Sequence, residues 1–313
     1  MKIGIPKEIY EGEKRVAIVP IMVTQFINDG HEIFIETGAG DKSFFADSEY
    51  EQANAVIVKD KQLLYSETDV IFKIHPPQRE EFELMKHGST YIGFLSSVLT
   101  SEFFKLMNER YITSFAMEFI PRISRTQSMD ALSSMASIAG YRAVLTAAQY
   151  LGKFFPLLMT AAGTIPPARV LVIGAGVAGL QSIATARRLG ARVEAFDTRP
   201  AVKEQVESLG AQFIEMELVK DAEAATGYAK EMTEEFIQRE QAIIGDRAVQ
   251  NHVVITTAQL FGKKAPILIT EEMVKKMRKG SVIIDLAAEQ GGNCEITEPG
   301  KNICKHGVTI RGL

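Results

Sequence analysis

Arg169-Val-Leu-Val-Ile-Gly-Ala-Gly-Val-Ala-Gly179, with Leu180–Leu189 after it, is the stretch that decides the fold. Val170 to Ile173 has the unbroken apolar character of a strand covered on both faces. Gly174-Ala175-Gly176-Val177-Ala178-Gly179 follows at once and leads into a helix over Leu180–Leu189, so G-x-G-x-x-G stands in a strand–turn–helix setting. In such a loop the first glycine permits the tight turn and the second lets a pyrophosphate approach the backbone. The third lets helix and strand pack closely, and the helix N-terminus faces the phosphates. A second strand ends in Asp197, 18 residues beyond Gly179. A carboxylate there can accept hydrogen bonds from ribose hydroxyls and repels a 2′-phosphate. NAD(H) is therefore expected over NADP(H), with Arg199 near enough to soften the preference. The expected cofactor-binding set on this half is Gly174, Ala175, Gly176, Val177, Gly179, Asp197 and Thr198. The alternatives are a glycine-rich turn that binds nothing and a flavin site, whose motif usually sits near the start of a chain rather than mid-chain.

Around that motif, 313 residues give room for two domains, and 46% hydrophobic against 24% charged residues is the balance of a soluble globular protein. Mean hydropathy is +0.02. A net charge of -4, with no Lys/Arg-rich block, argues against nucleic-acid binding. The two cysteines, Cys294 and Cys304, make a disulfide framework or a four-ligand zinc site an unsuitable reading and point to a reducing compartment; no metal is expected. No signal peptide opens the chain, since Met1-Lys2 runs straight into Ile3-Gly4-Ile5-Pro6. The most apolar stretch, Phe154 to Ile165, contains Pro156 and Gly163 and is too short to span a bilayer, so any membrane link must come through a partner.

Strands are expected at Lys2–Ile5, Glu32–Glu36, Val70–Ile74, Thr90–Leu95 and Ile112–Phe115, with helices at Pro20–Asp29 and Ser101–Met107. A long helix is expected from about Asp130 to Leu151, then a turn over Gly163–Pro167. Further strands are expected at Arg169–Ile173, Arg192–Phe196, Gln212–Ile214, Val253–Thr256 and Ser281–Asp285, and residues 217–250 read as charged and mostly helical. Strands alternating with helices imply parallel sheets. The expected fold class is α/β: two Rossmann-like domains with parallel sheets and a cleft between them, joined by long connector helices. The expected boundaries are 1–135, a connector over 136–165, and 166–313.

Arg122, Gln127, Asp130 and Ser133 cluster in one polar stretch that enters the long helix. Gln127, Asp130 and Ser133 are three apart, so on a helical turn they share a face. Such a set could bind a carboxamide, with donors from Arg and Gln, an acceptor from Asp and a hydroxyl from Ser. It could equally be a helix N-terminus with Asp130 as a charge favoured by the dipole.

At these two motifs the chain resembles the NAD(H)-binding component (domain I) of the proton-translocating NAD(P) transhydrogenase family. The likeness is carried by Pro121-Arg-Ile-Ser-Arg-Thr-Gln-Ser-Met-Asp130, Gly140-Tyr-Arg-Ala-Val144, Met159-Thr-Ala-Ala-Gly-Thr164 and the Gly174–Gly179 loop. Lys203–Gly210, Gly227–Met232, Leu268–Met273 and Gly291-Gly-Asn-Cys294 extend it over essentially the whole chain. The resemblance implies that Arg122, Gln127, Asp130 and Ser133 hold the nicotinamide end and that Tyr228 rides a mobile loop closing over the nucleotide. These five are the expected catalytic residues. It also implies that Thr257 and Ala258 line the pocket. NADP(H) is expected on a partner component, proton translocation in a transmembrane partner, and a homodimer. The expected place is soluble and peripheral, on the cytoplasmic face of the inner membrane or the matrix face in an organelle. Chains of that family continue past the last nucleotide-domain strand and return to complete the first domain. This one stops at Gly312-Leu313, so the first domain and dimer contacts are expected to lack that segment.

Alanine dehydrogenase shares the architecture, and Ile3-Gly-Ile-Pro-Lys-Glu8 and Lys14-Arg-Val-Ala17 resemble both families. An amino-acid dehydrogenase moves a proton as well as a hydride and needs an acid/base group at its substrate. Alignment puts His75 at that family's lysine position and Ser96 at its histidine position, so both groups are missing. Arg15 is then expected in an ion pair, and His75 as hydrogen-bonded structure or a solitary base. A non-catalytic NAD-sensing module is the other alternative.

Overall fold

Ile3, Ile5, Ile33 and Ile35 on one face of a sheet, and Ile71 and Tyr91 on the other, are at most 2% exposed, because helices cover both faces. In this computed structural model, residues 1–95, 100–121, 123–216, 234–259 and 263–313 are described. They divide into two compact units, Met1–Ala131 and Leu132–Leu313.

The first unit runs β1 (Lys2–Ile5), α1 (Pro20–Asn28), β2 (Glu32–Glu36), α2 (Asp47–Gln52), β3 (Val56–Val58), α3 (Lys61–Glu67), β4 (Val70–Phe72), α4 (Arg79–Leu84), β5 (Thr90–Gly93), α5 (Ser101–Glu109) and β6 (Thr113–Ala116). Its six strands stand in the order β3-β2-β1-β4-β5-β6 and every pairing is parallel. Pro20 opens α1, where its fixed φ suits the first helical position. Asp60 caps α3 by accepting from the N–H groups of Gln62 and Leu63. The strand expected over Val70–Ile74 stops at Phe72. The Glu8 carboxylate accepts the Ile74 N–H at 2.6 Å in place of a neighbouring-strand carbonyl, while the Ile74 carbonyl still accepts the Phe94 N–H at 3.1 Å.

The second unit holds α6 (Ala131–Tyr150) apart from its first residue. An exposed antiparallel hairpin follows, β7 (Leu158–Thr160) and β8 (Gly163–Ile165), where the sequence suggests only a turn. Then come β9 (Arg169–Ile173), α7 (Val177–Arg188), β10 (Arg192–Phe196), α8 (Lys203–Ser208), β11 (Gln212–Ile214), α9 (Glu234–Gln250), β12 (Val253–Thr256), α10 (Glu271–Lys276), β13 (Val282–Asp285), β14 (Asn302–Lys305) and β15 (Val308–Gly312). The sheet order is β11-β10-β9-β12-β13-β15-β14, parallel except for β14, which runs antiparallel along the edge. Alternate residues of β9 face opposite layers. Val170 and Val172 pack with Ile183 and with Ala143, Val144 and Ala147 of α6, while Leu171 and Ile173 pack with Ile244 and Ala248 of α9.

The long helix is therefore part of the second unit's core. Gly140 makes this possible: a Cβ there would lie 2.2 Å from the Ala178 carbonyl oxygen. Ser182 of α7 donates its hydroxyl to the Gly140 carbonyl at 3.1 Å. Gly140→Ala should cost about 1–3 kcal/mol, because the obstructing atoms are backbone and cannot rotate away. Gly245→Ala in α9 meets only the flexible Met273 side chain at 3.3 Å and should be neutral or stabilising. Urea midpoints of the two variants check this, and an unchanged midpoint for Gly140→Ala would show that α6 and α7 part freely.

Candidate functional site

Strand order in the second sheet reverses at β9, whose neighbours are β10 and β12. Beyond the carboxyl ends of β9 and β12 lies the crevice where open α/β sheets bind ligands. The glycine loop sits there. Gly174 has φ +94°, and a Cβ on it would meet the Thr257 hydroxyl at 2.5 Å. A Cβ on Gly179 would lie 1.8 Å from the Gly174 carbonyl oxygen, so turn and helix touch backbone to backbone. A Cβ on Gly176 would meet nothing within 4 Å, which leaves that side open to a ligand. The helix starts at Val177 rather than Leu180, with extended Gly176 as its N-cap and no side chain capping it. Its positive end thus faces the open side, where an anion is favoured.

Asp197 follows β10 and is 9% exposed. Its Oδ2 accepts the Ala175 N–H at 2.7 Å, which ties the glycine loop to the second strand. Arg199 grips the same carboxylate, Nε to Oδ1 and Nη2 to Oδ2, each at 3.0 Å, while its own N–H donates to Oδ1 at 2.8 Å. A fork of this kind directs the guanidinium onto Asp197 rather than toward a 2′-phosphate. Thr198 comes next and is half-buried. A group that sequence reading passes over lies within electrostatic reach. Glu240 of α9 is 9% exposed, and burial, then the charge of Asp197, push its carboxyl up to about 7. The signal was present in the four-residue spacing of Phe236, Glu240, Ile244 and Ala248, all buried, which puts one carboxyl on an apolar stripe.

Thr257 donates its hydroxyl to the carbonyls of Gly174 at 3.0 Å and Ile173 at 3.2 Å. Ala258 donates its N–H to the Asn293 side chain at 3.0 Å. The structure thus brings Gly174, Ala175, Gly179, Asp197, Thr257 and Ala258 together at the carboxyl end of one sheet.

The polar stretch before α6 is built differently from its reading. Gln127 is exposed in a short 3-10 helix, Ser124–Met129, and Asp130 breaks it with φ -79°, ψ 78°. Ser133 falls in the first turn of α6. Gln127, Asp130 and Ser133 therefore do not share the face of one helix. Two helical pieces meet at Asp130, immediately before α6, where a carboxylate suits the positive helix end. Arg122, Tyr228 and Ser96 lie outside the described residues.

In the first unit His75 is held. Its Nε2 is 2.7 Å from Glu13 Oε2, and its ring stacks on Tyr10 with centroids 4.4 Å apart. Arg15 takes the same carboxylate through Nε at 2.9 Å and Nη2 at 2.6 Å. Burial alone would raise the Glu13 pKa; the hydrogen bonds and charge of Arg15, with His75, outweigh it and hold the carboxyl at about 2. Nearby Lys73 is fully buried and paired with Glu81 at 2.8 Å, which also accepts from Tyr65 at 2.9 Å. Among the described residues no His/Cys/Asp/Glu cluster could hold a metal ion, and no helix is long and apolar enough to cross a membrane.

Two family models cover this chain: "Alanine dehydrogenase/PNT, N-terminal domain" matches residues 4–139 and "Alanine dehydrogenase/PNT, C-terminal domain" matches residues 143–313. The chain belongs to the alanine dehydrogenase/PNT family. Within it, the chain is 50% identical to the first portion of the NAD(P) transhydrogenase alpha subunit of Rhodospirillum rubrum, over 100% of this chain and 83% of that one. It is 31% identical to "Alanine dehydrogenase 2" of Staphylococcus aureus, over 98% and 79%. Among solved structures, a transhydrogenase from Sinorhizobium meliloti matches with TM-score 0.88 and 41% identity, covering 100% of this chain and 86% of that one. An L-alanine dehydrogenase matches with TM-score 0.81 and 28% identity, covering 100% and 82%.

The Glu13 arrangement has a pH signature. Its folded pKa lies below the ordinary 4.5, so the stability it contributes is full above about 4.5 and is lost as pH falls toward about 2. Arg15→Ala should move that loss to higher pH. Urea unfolding of parent and variant from pH 6 to 2.5 checks it; coincident profiles would mean that the pair contributes nothing.

Proposed function

We propose that this chain is the NAD(H)-binding component of a proton-translocating NAD(P) transhydrogenase. The observation that carries the reading is the loop Gly174–Gly179 at the β9/β12 switch point, open at Gly176 and tied to Asp197, in a chain 50% identical to a transhydrogenase alpha subunit. The residues fit a dinucleotide: the uncapped N-terminus of α7 would hold the pyrophosphate and Asp197 the adenosine ribose, with Thr198, Thr257 and Ala258 lining the site. Arg122, Gln127, Asp130 and Ser133 would orient the nicotinamide, and Tyr228 would cover it. When bound, the nicotinamide ring supplies or accepts the hydride, and no substrate proton moves with it. The chain's own work is then positioning and exclusion of water. NADP(H) would sit on a partner component and proton translocation in a transmembrane one, with this chain a homodimer peripheral to the membrane.

The alanine dehydrogenase reading rests on the more distant likeness and requires an acid/base group in the first unit. The candidate, His75, is bound to Glu13 and stacked on Tyr10, and Arg15 is taken by the same carboxylate.

NADH should bind more tightly than NADPH by roughly tenfold or more, about 1.4 kcal/mol, and Asp197→Ala should narrow the gap by removing a charge and releasing Arg199. Equilibrium titration of both nucleotides measures it; equal affinities in the parent would overturn the specificity. Gln127→Asn should lower the hydride-transfer rate far more than NADH affinity, since a misplacement of about 1 Å can cost on the order of a hundredfold in rate. Pre-steady-state transfer against the NADP(H)-loaded component, run beside an NADH titration, separates the two. Equal losses would mean that the loop merely binds.

A further inference from the structure

Asn293 is fully buried, and each of its polar groups is spent. Its N–H donates to Asp285 Oδ2 at 2.8 Å. Its carbonyl accepts the N–H groups of Leu268 at 2.8 Å and Ile269 at 3.0 Å. Its Oδ1 accepts the Ala258 N–H at 3.0 Å, and its Nδ2 donates to the carbonyls of Ala258 at 2.9 Å and Pro266 at 2.8 Å. The side chain therefore pairs with both backbone groups of Ala258, as a neighbouring strand would. Thr257, one residue earlier, is fastened to the glycine loop. Asp285 anchors the hub in turn: it accepts from the Thr256 hydroxyl at 3.0 Å and from the N–H groups of Ala287, Asn293 and Cys294 at 3.0, 2.8 and 3.0 Å. Two consecutive left-handed glycines, Gly291 at φ +101° and Gly292 at φ +80°, fold the chain back so that this is possible.

Topology says which part of a dinucleotide these bonds concern. Asp197 lies on the β10–β11 side of the switch point, and the segments after β12 and β13 lie on the other. A dinucleotide spans that crevice with one half on each side. The loop Asn293 fixes is thus on the half away from the adenosine ribose. We infer that Asn293 is a positioning residue for the nicotinamide half of the site: it fixes Thr257–Ala258 as a rigid wall for the ring, and it leaves adenosine binding to the glycine loop and Asp197. This rests on the dinucleotide reading above.

The test uses full-length Asn293→Asp and Asn293→Ala, assayed with the NADP(H)-binding component. Binding of ADP-ribose, which lacks the nicotinamide, reports the adenosine half and the fold. In Asn293→Asp the Oδ1 acceptor survives, but an ionised second oxygen faces two carbonyls; once protonated it can donate to one of them. At pH 8 its hydride transfer should fall by roughly tenfold or more with ADP-ribose affinity within about threefold of the parent. Relative to the parent at each pH, the rate should recover toward pH 5.5, and Asn293→Ala should show no recovery. In the parent, NADH but not ADP-ribose should further slow hydrogen exchange at residues 257–258, a measurement that does not depend on a variant folding. A parent-like rate in Asn293→Asp, ADP-ribose affinity falling in step with rate, or equal protection by both ligands would overturn the assignment. A parent that binds neither ADP-ribose nor NADH would instead overturn the dinucleotide reading itself, and this inference with it.

Discussion

The approach of α7 to the turn before it, with the Gly179 backbone against the Gly174 carbonyl, is the constraint on which the second unit depends. A side chain at Gly179 would push the helix away from the turn, and one at Gly174 would run into the Thr257 hydroxyl. With none there, the N-terminus of α7 is held over the β9/β12 crevice, and the Ala175 N–H reaches Asp197 at the end of the next strand. The same closeness propagates outward. Gly140 lets α6 lie on α7 at Ala178, and Thr257 closes the loop from the β12 side. Three segments distant in sequence, at Asp197, Gly140 and Thr257, are thereby fixed to the glycine loop and the helix it opens.

Electrostatics around that turn follow from burial. The uncapped helix end is positive, whereas the neighbouring groups Asp197 and Glu240 are acidic. Arg199 balances one of them directly. The arrangement favours a ligand with a pyrophosphate in its middle and neutral hydroxyls at its ribose, which is the charge pattern of NAD(H).

Much of this was legible in the chain. Arg169–Ile173 and Val253–Thr256 read as strands because an apolar run buried on both faces carries its own signature, and Arg192–Phe196 and Gln212–Ile214 read as strands beside them in the βαβ alternation. The elements α2, β3, α3 and α4 did not, since pieces of three to seven residues show too little periodicity to separate from loops. The hairpin β7–β8 is almost wholly exposed, so its strands lack the buried alternation that marks a strand. The break at Asp130 could not be read because a three-residue spacing suits an α-helix and a 3-10 turn alike. Asn293 escaped notice for another reason. The paired glycines before it flag a reversal, but its partners Ala258 and Pro266 stand 35 and 27 residues away, and only tertiary structure supplies them.

The buried pair of Lys73 and Glu81 in the first unit makes substitutions at the two positions interdependent. Neither side chain is more than 1% exposed, and the Tyr65 hydroxyl and Lys61 complete the set around Glu81. Loss of Glu81 strands the Lys73 charge in the core, at about 3–5 kcal/mol, loss of Lys73 leaves Glu81 with Lys61 and Tyr65, and exchange of both for apolar residues of similar volume can be neutral. The two positions are therefore coupled in their effect on stability. Lys73, just past β4, and Glu81, in α4, thus tie a strand end to a helix through one buried ionic contact that tolerates joint replacement better than single replacement.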